Sequence, residues 1–228
     1  MNGTMRIAEG IYMIGGPEMS SPDDAASFII ECGKELIMID SGAGRSKKKL
    51  VRNIESLYLD PARIKILILT HCHIDHIGAA PYFREHFGCA LLCHELDAAP
   101  IETGDPVKTA STWYGVTFPA TTVDRKISSE HEILRFGNDE IHCLHTPGHT
   151  PGSLSIYIDR EGKRILFGQD IHGPFLASFG SDIATWKLSM KKLLDLKADI
   201  LCEGHFGIFK SRERTESYIK GYLREYGE

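Results

Sequence analysis

One short segment of the sequence is rich in side chains that can bind a metal ion. Three histidines and one aspartate fall within six residues, directly after the apolar segment 64–69, and they are His71, His73, Asp75 and His76. The apolar segment is short and rich in isoleucine and leucine, which predicts a strand buried on both faces. Four polar groups at the end of such a strand are costly to bury without a partner, so we expect them to bind metal. Imidazole and carboxylate suit zinc, iron or manganese.

Length, charge and composition exclude several classes of protein. The chain has 228 residues and a net charge of -5, and 42% of its residues are hydrophobic. No linker or repeat interrupts it, so we predict a single domain over residues 1–228. The acidic balance disfavours a nucleic-acid partner, and no segment approaches the roughly 18 to 20 apolar residues that a membrane span needs. The N-terminus has no apolar signal core, and the six cysteines are predicted to be reduced core thiols. These features predict a cytoplasmic protein that acts on a small molecule, and they leave a homo-oligomer open.

The elements that must position the metal-binding segment follow from periodicity and turn residues. Residues 64–93 form a strand, helix and strand pattern that favours a parallel arrangement. A hairpin is predicted around Gly33 and Lys34, and Ser211 is the expected cap of a last helix. Further strands are predicted at 5–14, 132–136, 140–145, 153–158, 164–167 and 199–202, with helices at 47–57 and 182–196.

Residues 94–124 have no clear periodicity, and prolines and glycines interrupt them. A segment of this length in a compact domain is usually functional or mobile. One interpretation is a wall or lid of a substrate pocket that includes Trp113 and Tyr114. The alternative is a surface excursion anchored by its aromatic side chains.

Three more candidate ligands share one position in the pattern. His149, Asp170 and His205 each follow a predicted strand, within or beside a turn that contains glycine. Glycine lets the backbone approach closely, so short side chains from several strands can converge on one rim of a sheet. Each residue alone is a weak signal, but the ordered set together with the first cluster is a specific one.

These residues resemble the ligand series of the metallo-β-lactamase-fold hydrolase superfamily. The resemblance covers residues 6–210, and Asp40, in the Asp-Ser-Gly sequence 40–42, matches an early aspartate of the family. It implies an α/β (α+β) fold, a four-layer αββα sandwich of two mixed sheets flanked by helices, with the active site at one edge of the sheets.

The resemblance also implies a ligand set for two divalent ions, with zinc expected and iron or manganese as alternatives. It places His71, His73 and His149 on one ion, and Asp75, His76 and His205 on the other, with Asp170 as the bridge. A hydroxide held between the ions would be the nucleophile. In this assignment Asp75 and Asp170 are the catalytic carboxylates, and Asp75 takes part in proton transfer. Asp40 would support a ligand imidazole from behind.

Differences among branches of the family narrow the expected activity. A bridging aspartate at position 170 is most similar to the glyoxalase II and lactonase branches, which predicts a hydrolase of thioesters, esters or lactones. The helical extension that holds glutathione in glyoxalase II is missing, because only about twenty residues follow His205. His172 and Phe175, which follow Asp170, are expected to face the substrate.

Other activities remain open from the sequence. The main alternative is a persulfide dioxygenase with one iron on His71, His149 and Asp170, although the basic residues expected after Asp170 in that group are missing. A β-lactam or phosphoester hydrolase is a further alternative, as is a binding protein that has lost its metals.

Overall fold

Two β-sheets stacked face to face form the centre of the molecule. The structure is a computed structural model, and it describes residues 4–227. Within those residues the first sheet has seven strands in the order β1 to β7, and the second has six in the order β13-β12-β11-β10-β9-β8. The strands of the first sheet are Met5–Ala8 (β1), Ile11–Gly15 (β2), Ser27–Cys32 (β3), Glu35–Ile39 (β4), Ile64–Ile68 (β5), Ala90–His94 (β6) and Arg125–Ile127 (β7). Those of the second are His131–Phe136 (β8), Asp139–His145 (β9), Leu154–Arg160 (β10), Lys163–Gln169 (β11), Ile200–Glu203 (β12) and Ile208–Lys210 (β13).

Helices cover the outer face of each sheet. They are Lys47–Ser56 (α1), Ile74–Ile77 (α2), Ala80–Phe87 (α3), Glu95–Thr103 (α4), Ile183–Asp195 (α5) and Arg212–Glu225 (α6). Short 3-10 turns at Pro61–Arg63, Ser111–Tyr114 and Ala177–Phe179 complete the connections. No helix in the described range is long and apolar enough to cross a membrane.

Three layers of apolar side chains hold these elements together. Isoleucines from both sheets and the edge-to-face pair of Phe28 and Phe167 fill the layer between the sheets. A second layer packs α1, α3 and α4 on the first sheet, and a third packs α5 and α6 on the second. Burial of apolar area is the main source of stability in such a stack. The arrangement is the predicted four-layer αββα sandwich.

The direction of the strands brings the ends that carry the site to one edge. Strand β4 pairs parallel with β5, β5 with β6, β6 with β7, and β11 with β12, whereas the other neighbouring strands pair antiparallel. Both sheets are therefore mixed, as expected. The carboxyl ends of β4, β5, β11 and β12 are each followed by a loop that contains a predicted site residue.

Several local predictions are confirmed and others need correction. The hairpin of β3 and β4, the parallel pair of β5 and β6, and the Ser211 cap of α6 are as expected.

The predicted strand over 5–14 is instead two antiparallel strands, because Gly10 adopts a positive φ and turns the chain. Segment 94–124 contains the helix α4, which includes Pro100, and is followed by the edge strand β7. All six cysteines are buried and free. The single domain predicted over 1–228 includes residues 1–3 and 228, which lie outside the described residues.

Candidate metal centre

The loop after β5 holds the first cluster rigidly. Thr70 begins it, and its backbone N–H and hydroxyl both donate to the buried carboxylate of Asp40, over 2.9 and 2.7 Å. His73 precedes the short helix α2, whose residues include Asp75 and His76. All four predicted ligands in this loop are buried.

The remaining predicted ligands arrive from the second sheet. His149 lies in the loop between β9 and β10, Asp170 follows β11 directly, and His205 lies two residues after β12. Backbone hydrogen bonds join the two halves of the site. Leu154 N–H donates to Thr70 O over 2.8 Å, and Ala26 N–H donates to Gly204 O over 2.7 Å.

Four donor atoms converge in a first group. His73 Nδ1 lies 3.1 Å from His71 Nε2 and 2.9 Å from His149 Nε2. Asp170 Oδ2 lies 3.9 Å from His71 Nε2 and 3.5 Å from His149 Nε2. A tetrahedral zinc with ligands at about 2.0–2.2 Å separates its donor atoms by about 3.3–3.6 Å. This group therefore has the dimensions of one coordination site.

A second group shares Asp170 with the first. His76 Nε2 lies 3.1 Å from Asp170 Oδ1 and 3.7 Å from Asp75 Oδ2. His205 Nε2 lies 3.3 Å from the same oxygen of Asp170 and 3.3 Å from Asp75 Oδ2. The two carboxylate oxygens of Asp170 thus face different groups of donors.

Two buried atoms at the centre support a bound cation directly. His76 Nε2 and Asp170 Oδ1 are buried and make no hydrogen bond within the protein. Buried polar atoms normally have a partner, and leaving one without costs about 1–3 kcal/mol. A metal ion coordinated by both atoms would satisfy them, so the residues present fit the metals that the sequence predicts.

Supporting hydrogen bonds set which ring nitrogen of each histidine faces the centre. His76 Nδ1–H donates to Asp40 Oδ2 over 2.7 Å, and His149 Nδ1–H donates to Pro174 O over 3.0 Å. In both rings the lone pair therefore sits on Nε2, the atom that points to the other ligands. Asp40 therefore lies behind the ring of His76, a predicted ligand.

The electrostatics of the centre separate its histidines into two kinds. Burial lowers the pKa of His73 to about 3 and that of His149 to about 4, so both rings stay neutral near pH 7. Burial also opposes the charged form of His205, but the carboxylates of Asp170 and Asp75 raise its pKa to about 10. Although burial acts the other way, the neighbouring imidazoles of His76 and His205 hold the pKa of Asp170 well below its usual range. Asp170 is thus an ionised carboxylate ready to bind cations.

A small cavity opens above the centre. It has a volume of about 170 Å³, and Trp113, Tyr114 and His172 line it together with the ligands. The segment around the 3-10 turn Ser111–Tyr114 therefore forms a wall of this cavity, the first of the two interpretations of residues 94–124. Phe175, predicted to face the substrate, instead packs against Trp186 and Tyr226, and Pro174 and Phe179 line the cavity in its place.

Two buried carboxylates near the centre were missed by the sequence analysis. Asp97, in the first turn of α4, accepts hydrogen bonds from Cys72 N–H, Gly152 N–H and the Thr150 hydroxyl, over 2.9, 2.7 and 2.8 Å. It therefore joins the loop of the first cluster to the loop of His149. The only local signal was an acidic residue at the start of a helix, which is common.

The second missed carboxylate is Glu203, at the end of β12. It accepts from His172 Nδ1–H over 2.9 Å and from the backbone N–H groups of His205 and Phe206, over 2.6 and 2.8 Å. It thereby orients both His172 and the turn that carries His205.

Comparison with known proteins agrees with this geometry. The model of the Metallo-beta-lactamase superfamily matches residues 21–205. The chain is 33% identical to the hydroxyacylglutathione hydrolase GloC of Haemophilus influenzae over 205 residues, covering 85% of this chain and 91% of that protein. It is 24% identical to the acyl-coenzyme A thioesterase MBLAC2 of Gallus gallus, covering 97% and 86%.

Solved structures are similar over nearly the whole chain. The B3 metallo-beta-lactamase BJP-1 of Bradyrhizobium japonicum superposes with a TM-score of 0.80 at 21% identity, covering 98% of this chain and 92% of that one. A mutant of the metallo-beta-lactamase of Legionella gormanii gives a TM-score of 0.83 at 20% identity, covering 98% and 93%. At these identities the likeness concerns the fold.

Proposed function

The chain belongs to the metallo-beta-lactamase superfamily, and we propose that it is a dinuclear-metal hydrolase that cleaves a thioester, ester or lactone of a small molecule. The family membership supports a metal-dependent hydrolase in general. The number of metals and the bond that is cleaved are our proposal.

One observation carries the dinuclear proposal. Asp170 directs Oδ2 to the group of His71, His73 and His149, and Oδ1 to the group of His76 and His205, at the distances given above. A carboxylate shared in this way is the arrangement expected of a residue that bridges two ions. The mixed nitrogen and oxygen donors favour zinc and also accept iron or manganese.

The chain's own residues supply binding and proton transfer. Two bound divalent ions would supply a nucleophilic water near neutral pH and polarise the carbonyl of the substrate. Asp75 is ionised, because the imidazoles of His76 and His205 lower its pKa in spite of burial. Its carboxylate can hold the proton that the attacking water loses and return it to the leaving group. In a thioester the carbon forms a bond to the water oxygen, the carbon–sulfur bond breaks, and the proton passes to the thiolate.

The choice of bond follows from relatives of similar length. Of the relatives reported above, the protein of Haemophilus influenzae is named a hydroxyacylglutathione hydrolase and that of Gallus gallus an acyl-coenzyme A thioesterase. A thioester is therefore the first substrate to test, followed by esters and lactones.

Elemental analysis of the purified protein, together with a panel of thioesters, lactones, phosphoesters and β-lactams, tests the proposal. We expect two metal ions per chain and the highest kcat/KM on a thioester, ester or lactone. One iron per chain with oxygen consumption on a persulfide would overturn the proposal in favour of a dioxygenase. Preference for a β-lactam or phosphoester would overturn the proposed bond.

The bridging role of Asp170 has its own test. Asp170→Ala should lower metal content and activity together, because both groups of donors lose an oxygen. His172→Ala is the matched control for metal content, since His172 lines the same cavity but Glu203 holds its Nδ1. It should keep both ions. Full occupancy in Asp170→Ala would contradict the bridge, and loss of metal in His172→Ala would make His172 a ligand.

A further inference from the structure

A groove lined by methionine lies beside the candidate metal centre, on the side of His205. Its volume is about 550 Å³, within the usual range of ligand sites. We call it the methionine groove, and its apolar lining includes Met5, Met13, Met19, Phe206 and Ile208.

The groove adjoins the candidate active site. His205 lines both the groove and the 170 Å³ cavity above the metal centre. The floor of the groove includes Gly204, where an added Cβ would lie 2.6 Å from Asp170 Oδ1. Ala26, also on the floor, donates its N–H to Gly204 O, and its neighbour Ala25 donates to Asp75 O over 3.2 Å. A substrate whose carbonyl lies at the predicted ligands is therefore next to the groove, on the side of His205.

The lining indicates an apolar and flexible occupant. Methionine is unbranched and polarisable, so it adapts to chains of different shape. Met5 and Phe206 are 44% and 58% exposed, and large apolar side chains grouped at this exposure mark a binding surface. The charged residues of the lining are Glu18, Lys210 and Glu203, and Glu203 is buried and already hydrogen-bonded.

We propose that the methionine groove binds the unbranched apolar acyl chain of the substrate, so that the protein prefers long-chain acyl thioesters or esters over short ones. This inference rests on the proposed hydrolysis for its kinetic readout. The order of preference follows from burial, since each methylene removed from water contributes up to about a fourfold gain in binding, equal to about 0.8 kcal/mol.

Two measurements test the groove separately from the chemistry. The first is calorimetric titration of the metal-depleted protein with decanoate, which needs no turnover. The second is kcat/KM for acetyl, hexanoyl and decanoyl thioesters with the metal-loaded enzyme. We expect decanoate to bind and kcat/KM to rise along the series.

Variants locate the effect. Met19→Glu and Met5→Glu each place a charge in the groove and should weaken decanoate binding and lower the decanoyl-to-acetyl ratio of kcat/KM by at least about tenfold. Two variants are used because either one alone can fail to fold. Leu188→Glu is the matched control, since Leu188 is 62% exposed on α5 and lines neither cavity.

The outcomes distinguish this inference from the proposed function. Hydrolysis of thioesters without a chain-length preference, together with no binding of decanoate, would overturn the groove and leave the hydrolase intact. Binding of decanoate without hydrolysis would support the groove and refute the hydrolase. A dimer that dissociates in Met19→Glu would show that a second copy covers the groove, and would overturn the proposal.

Discussion

Asp40 lies behind the candidate metal centre and makes hydrogen bonds to two parts of it. Its carboxylate accepts from His76 Nδ1–H and from both donors of Thr70, and its backbone is held at φ 54°. Asparagine tolerates this left-handed conformation, so Asp40→Asn keeps the backbone unstrained. Its side-chain amide can donate to His76 Nδ1, which would place the ring proton on Nε2, the atom needed for metal.

We therefore expect Asp40→Asn to weaken binding of one metal ion by about 10- to 100-fold, the usual effect of losing such a partner. Competition with a chelator measures this affinity. Asp159→Asn serves as the control, because Asp159 makes an ion pair with Arg164 at the end of β10 and β11 that is opposite to the candidate site. Unchanged affinity in Asp40→Asn would mean that its charge does not set the tautomer of His76.

The buried histidines predict how the metal-free protein responds to acid. The pKa values of His73, His149 and His94 are lowered to about 3, 4 and 4, mainly by burial. Below pH 6.5 the unfolded chain therefore binds protons that the folded protein does not. The free energy of unfolding consequently decreases as the pH is lowered. The raised pKa of His205, about 10, adds no change in this range, since its ring is protonated in both states below about pH 6.

The urea midpoint of the metal-free protein should consequently fall between pH 6.5 and 4.5. Above pH 6.5 the sign reverses for His205, whose stabilising charge is lost as the pH rises towards 10. Urea titrations in a chelating buffer at several pH values measure both limbs. A midpoint that stays constant or rises on acidification to pH 4.5 would contradict the burial of neutral histidines.

At the level of elements, the contact between α2 and the loop after β4 depends on glycine. A Cβ on Gly78 would lie 2.2 Å from the backbone carbon of Ala43, a contact that no side-chain movement can relieve. This partner could not be read from the sequence around Gly78, because Ala43 lies in the loop after β4. The same contact places His76, whose carbonyl accepts from Ser41 N–H over 2.7 Å.

Gly78→Ala should therefore lower the free energy of unfolding by about 2 kcal/mol or more, because overpacking usually costs about 1–3 kcal/mol and the backbone here cannot move aside easily. Gly221→Ala is the matched control. Gly221 lies inside α6 with open space around its Cβ position, so alanine should stabilise the protein by about 0.5–1 kcal/mol. Urea unfolding of both variants measures the difference, and equal effects would refute the close contact.

Elements and ligands differ in how far the sequence predicts them. His71 to His76 could be recognised because they are adjacent in sequence and follow an apolar strand, and the sandwich followed from the resemblance that they carry. Asp97 could not be found in this way, because its three donors lie 25 to 55 residues away along the chain. Phe175 was misplaced for a related reason. Whether an aromatic side chain after Asp170 faces the cavity or Trp186 depends on how α5 and α6 pack.

At the scale of the whole molecule, the candidate metal centre lies where the two sheets meet. One sheet supplies the ligands that follow β5, and the other supplies His149, Asp170 and His205. Strands of both sheets also share one apolar layer. The sheets should therefore unfold together, as one cooperative unit, whether or not metal is bound.

Removing the metal tests this directly. A ligand that binds only the folded state stabilises it by about 2.7 kcal/mol when its concentration is one hundred times its Kd. Because the ligands come from both sheets, that energy should stabilise the whole domain.

We expect the metal-loaded protein to show one thermal transition, and chelation to shift that single transition to lower temperature. Calorimetry with and without chelator measures it, and Leu188→Glu should show the same shift as the unmodified protein. Two separate transitions after chelation would show that each sheet and its helices form an independent folding unit, which would contradict the single domain predicted from the sequence.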